Sequence, residues 1–151
     1  MSGNLADLYQ EVIIDHGRRP RNFRQLEGAT YTAEGVNPLC GDHLTLYVNL
    51  TDGYIADIAF QGSGCAISQA SASLMTAALK GKTETEALAL FGCVHAMLTE
   101  GPNGETGVAE MGKLAVLCGV WEFPMRVKCA TLAWHTLRNA LESNGTQIST
   151  E

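Results

Sequence analysis

The chain has 151 residues, 46% of them hydrophobic and 17% charged, with a formal net charge of −6; a domain of that size can bury about 70% of its unfolded surface without disulfides. The acidity argues against nucleic acid, which rewards clustered Lys and Arg, and no stretch reaches the ~20 apolar residues that span a membrane. An acidic, amphipathic start without an export signal, and an odd number of cysteines (5), read as a cytoplasmic protein with thiols that are ligands, nucleophiles or buried groups.

Residues 4–16 predict an amphipathic helix, because Leu5, Leu8, Tyr9, Val12 and Ile13 recur at helical spacing up to Gly17. The connecting segment 18–28 carries Arg18, Arg19, Arg21 and Arg24, four of the 10 basic residues. It reads as a solvated loop or, more sharply, as a docking patch for an acidic surface. Residues 43–50 alternate, with Leu44, Leu46, Val48 and Leu50 on one side; Thr51-Asp52-Gly53 turns the chain. Residues 54–61 alternate again, with Tyr54, Ala56, Ile58 and Phe60 predicted on one face, so the two segments form a hairpin. Residues 31–36 are a candidate third strand.

After Gly62-Ser63-Gly64 the pattern turns helical. Residues 66–79 form one helix; Thr83, with Glu86 three residues later, opens the next over 83–99 through a capping box. Gly101-Pro102-Asn103-Gly104 breaks the chain, 108–117 predict a shorter helix, and 128–142 predict the last one after Pro124. Residues 143–151 are polar and expected to fray. The fold class is therefore α+β: a small antiparallel sheet of about three strands with helices on one face, in a single domain over 1–151.

Three cysteines fall where the backbone changes element. Cys40 lies in the turn Asn37-Pro38-Leu39-Cys40-Gly41-Asp42, Cys65 opens the first helix after the sheet, and Cys129 opens the last. A helix N-terminus favours thiolate over thiol. Cys40 and Asp42 can converge on one ion if the Gly41 turn is tight, and three thiolates with one carboxylate fill a tetrahedral zinc shell. That shell is formally −2, with Arg126, Lys128 and two helix N-termini to offset it. Spacings of 25 and 64 residues without a CxxC pair are weak, however, and three buried thiols explain them as well.

Cys93 and Cys118 sit in apolar helical patterns and read as core thiols. His43 is a spare ligand that should point away from Asp42, and His16, His95 and His135 read as surface or helix-face histidines. No nucleophile elbow or phosphate loop is present.

Asn37-Pro38-Leu39-Cys40-Gly41-Asp42, then Gly62-Ser63-Gly64-Cys65-Ala66-Ile67-Ser68, then Arg126-Val127-Lys128-Cys129-Ala130-Thr131-Leu132-Ala133-Trp134 closely resemble the U-type iron–sulfur assembly proteins, of the IscU and NifU kind. Within them the chain is similar to the SufU branch. IscU proteins carry a His before the third cysteine where this chain has Lys128, and Cys65 to Cys129 is lengthened here around Gly101–Gly119.

The resemblance implies a zinc-dependent sulfurtransferase of the SUF system, with Cys40, Asp42, Cys65 and Cys129 as zinc ligands and Cys40 as the thiol that accepts persulfide sulfur. The implied partners are a SufS-type cysteine desulfurase, whose histidine replaces Cys40 on the metal, and a downstream SufBCD-type cluster-assembly complex. The competing reading is a non-catalytic scaffold that assembles an iron–sulfur cluster on the same cysteines; a transient cluster is a further expected ligand. A third is a purely structural zinc module.

Overall fold

The structure is a computed structural model that describes residues 5–38, 40–100, 114, 116–117, 123–143 and 148–149. Its elements run α1 (Leu5–Arg18), β1 (Tyr31–Asn37), β2 (Asp42–Thr51), β3 (Tyr54–Ser63), α2 (Ala66–Leu79), α3 (Glu84–Glu100), α4 (Pro124–Ser143) and β4 (Ile148–Ser149). The sheet order is β3-β2-β1-β4, antiparallel across the first three strands. The α+β fold follows the expectation, and a fourth short strand is added: Ile148 and Ser149, in the tail expected to fray, pair parallel with Gly35 and Val36.

Period-two alternation builds the core face of the sheet. Ala33 of β1, Leu44, Leu46 and Val48 of β2, and Ile58 and Phe60 of β3 are buried together. α2 and α4 pack on these strands and on each other, α1 lies against α2, and α3 against α4. Ser71 Oγ on α2 donates to the Ala130 carbonyl of α4 at 2.6 Å, which ties the two helices below the thiol-bearing ends.

The face assignment of β3 needs correction. Tyr54 and Ala56 are exposed, and Ile55 takes the buried position. The register steps from Asn49 opposite Asp57 to Leu50 opposite Ile55, so Ala56 is an extra residue. Such a bulge inverts the alternation on either side of it.

α4 also begins four residues earlier than the sequence suggests. Pro124 is its first residue, where a missing N–H costs nothing and a fixed φ suits the helix. Cys129 therefore sits in the second turn of α4, beyond the helix-terminal N–H groups expected to favour its thiolate.

His16 is not a surface residue. The residue is 3% exposed and its Nδ1 lies 2.7 Å from Ser73 Oγ on α2. Cys93 is half-buried at the core margin. The expected helix 108–117 is described only at Leu114, Val116 and Leu117, which are buried, and Cys118 lies outside the described residues. Among the described residues no helix is long and apolar enough to cross a membrane.

Candidate metal centre

The centre forms where one end of the sheet meets the start of α2 and the second turn of α4. Asn37, the last residue of β1, stands opposite Asp42, the first of β2. Between them the Cys40 N–H donates to the Asn37 carbonyl at 3.2 Å, a β-turn with Pro38 at its favoured second position. Gly41 then has φ +72, a left-handed conformation that L side chains resist. That step turns the chain tightly enough to bring Cys40 and Asp42 to one side.

The sulfurs of Cys40 and Cys129 and a carboxylate oxygen of Asp42 all lie within 4.8 Å of one another. A zinc tetrahedron with arms of about 2.3 Å spaces its sulfurs about 3.8 Å apart, so the three donors are near that size. Cys65 is close by without joining that set. It is the N-cap of α2, and its sulfur accepts the Ser68 N–H at 3.5 Å. Its own N–H donates to Asp42 Oδ1 at 2.9 Å, which fastens the carboxylate to the α2 terminus. Gly64 makes that approach possible, since a Cβ there would stand 2.5 Å from Asp42 Oδ1.

Exposure divides the donors. Cys40 is exposed, Cys65 intermediate, Cys129 buried, and Asp42 only 2% exposed. Burial pushes the Cys129 thiol far above its ordinary value, and hydrogen bonding to Asp42, Cys40 and Cys65 raises it further. Potential anions crowded on one buried point each disfavour the next charge, and a divalent cation among them inverts that logic. Two converging thiols and a carboxylate, with the Cys65 thiol close by, are donor types that zinc accepts, so the residues fit the implied metal.

Neighbouring side chains refine the sequence reading. His43 points the other way, 3.9 Å from Glu34 and half exposed. Arg126 is exposed, with its guanidinium carbon 4.6 Å from the Phe123 ring centroid, while Lys128 is half-buried beside Cys129. The side-chain amide of Asn37 was missed; Nδ2 donates to Asp42 Oδ2 at 3.4 Å and to Cys129 Sγ at 3.6 Å. The signal that marks it is an amide immediately before the proline of the Cys40 turn.

Comparison with known proteins agrees with this architecture. Residues 8–142 match the family described as NifU-like N terminal domain. The chain is 43% identical to the iron–sulfur cluster assembly scaffold protein IscU of Streptococcus pyogenes serotype M1, covering 91% of this chain and 85% of that one. It is 39% identical to the zinc-dependent sulfurtransferase SufU of Bacillus subtilis (strain 168), over 93% of each. A crystal structure of a SUF-system cluster assembly scaffold protein from Fervidobacterium islandicum AW-1 superposes with a TM-score of 0.83 at 36% identity, covering 92% of this chain and 100% of that one. With matched motifs, matched fold and matched length, this chain belongs to the NifU-like N-terminal domain family of IscU and SufU relatives.

Proposed function

We propose that the protein is a zinc-dependent sulfur acceptor that takes persulfide sulfur from a SufS-type cysteine desulfurase and delivers it towards iron–sulfur cluster assembly by a SufBCD-type complex. The observation that carries this reading is the exposed thiol of Cys40, on a turn, beside the buried pair Asp42 and Cys129. Cys40, Asp42, Cys65 and Cys129 are the residues that would hold zinc, which when bound keeps such thiols deprotonated near neutral pH.

Cys40 does the chemistry. Its thiolate attacks the outer sulfur of a donor persulfide, R–S–SH; a new S–S bond forms on Cys40, the donor's S–S bond breaks, and the donor cysteine leaves as thiolate. Asp42 and Cys129 are anchored by the sheet end and by α4, so only the turn residue must reach outward. The relative named a zinc-dependent sulfurtransferase and the Lys at position 128 support transfer over scaffolding. The scaffold reading draws on the relatives named for that role.

Metal analysis of protein purified without oxygen, followed by persulfide mapping after incubation with desulfurase and cysteine, separates the two. Transfer predicts one zinc per chain, no colour, and a persulfide on Cys40. Iron with acid-labile sulfide, or label on Cys65 or Cys129 with none on Cys40, would overturn it.

A further inference from the structure

We propose that Asn37 is a positioning residue of this centre, its side-chain amide holding Asp42 and Cys129 in ligating orientation while its carbonyl sets the turn that carries Cys40. The inference rests on the reading that these residues bind zinc, and it adds a residue that is not itself a ligand.

Three contacts converge on Asn37. Its backbone oxygen accepts the Cys40 N–H. The two hydrogens of its amide nitrogen are directed at different residues, Asp42 Oδ2 at 3.4 Å and Cys129 Sγ at 3.6 Å. The side chain is completely buried, so no solvent competes for these bonds. Asp42 is thereby held at both oxygens, Oδ1 by the Cys65 N–H and Oδ2 by Asn37. Two-point restraint fixes the plane of a carboxylate, which a single bond leaves free to rotate.

The other half of the amide explains why the residue is here for its donors. Asn37 Oδ1 is buried without a hydrogen-bond partner among the described residues. An unsatisfied buried acceptor is destabilising. An amide retained under that handicap, with both N–H groups facing prospective anions, is suited to a ligand set more than to a core. Donation to thiolate and carboxylate also tempers their mutual repulsion.

Asn37→Leu keeps the branched heavy-atom outline, with greater bulk, and removes the donors; Asn37→Ser keeps one. Zinc affinity of each is read by chelator competition against the wild-type protein, and the ligand field by visible spectra of the cobalt(II)-substituted proteins. The expected result is a 10- to 100-fold weaker affinity for the Leu variant, a smaller loss for Ser, and altered cobalt bands in both. A residue that merely fills space would leave the cobalt spectrum alone. Affinities within twofold of wild type and unchanged bands overturn the assignment, and the Ser variant decides it if the Leu variant does not fold. If the wild-type protein itself takes up no zinc, the reading of the centre falls and the assignment with it; if only the variants match wild type, the assignment falls alone.

Discussion

His135 meets Phe91 and His95 edge-on, each at a centroid distance of 5.4 Å. Burial, helped by the positive charges of His95 and Arg138, lowers its pKa to about 4. An unfolded histidine takes its proton near pH 6.5. Between pH 6.5 and 4 the unfolded chain therefore binds a proton that folded His135 refuses, and stability falls as the pH falls through that window. Above pH 6.5 the residue makes no such demand. His135→Gln should flatten the decline of Tm between pH 6.5 and 4, and parallel profiles for variant and wild type would contradict this origin. At this scale the sequence is legible where chemistry is local. Cys40 and Asp42 announce themselves through one intervening glycine, but the burial of His16 depends on Ser73, 57 residues away, which no local pattern contains. Cys129 joins Cys40 and Asp42 through tertiary folding alone; its place at the start of a helix marks it in the sequence, but a spacing of 64 residues from Cys65 leaves a buried thiol as good a reading until the resemblance is added.

Helix starts and strand phases behave differently as elements. The Thr83 capping box is realised in full: Thr83 N–H donates to Glu86 Oε1 at 2.9 Å, and Glu86 N–H to Thr83 Oγ1 at 3.1 Å. The Thr83 N–H, and after it the Thr83 hydroxyl, lower the Glu86 carboxyl pKa. Thr83→Ala should cost about 1 kcal/mol, a fall in Tm of about 2–4 °C for a chain of this size. Calorimetry that finds no change would show the box to be idle. Both capping residues lie three apart, which is why they are readable; the β3 bulge is not, because alternation before and after Ala56 each looks regular. The early start of α4 has a similar cause, since Pro124 reads as a breaker unless its first-turn tolerance is weighed.

For the whole molecule, the proposed centre joins segments remote in sequence: the β1–β2 turn, the α2 start and α4. A metal bound by the folded chain alone stabilises it by mass action, about 2.7 kcal/mol at a free concentration 100 times Kd. Chelation should lower Tm, and added zinc should raise it with concentration; a Tm indifferent to both would remove the metal from the folding equilibrium. The arginine segment is legible as a cluster but not in its pairing. Arg19 and Arg21 engage Asp15, and Arg24 engages Asp57 with both carboxylate oxygens, so much of the expected docking charge is answered within the chain. Burial would raise the Asp57 carboxyl, but Arg24, Lys80 and the Ile58 N–H outweigh it and hold the pKa below its usual value.

That segment and the α2–α3 turn together cover part of the outer side of β3. Phe60 donates its N–H to the Asn22 carbonyl and accepts from Arg24 N–H, Ile58 N–H is bound by Asp57 Oδ1, and Ile55 exchanges both groups with Gly81 and Lys82. An exposed margin of a sheet is ordinarily a template on which a foreign strand can nucleate. Here the template is already written over at Ile55, Ile58 and Phe60, which works against fibril-like stacking and strand donation at β3 and leaves a visitor there more side chain than backbone to recognise.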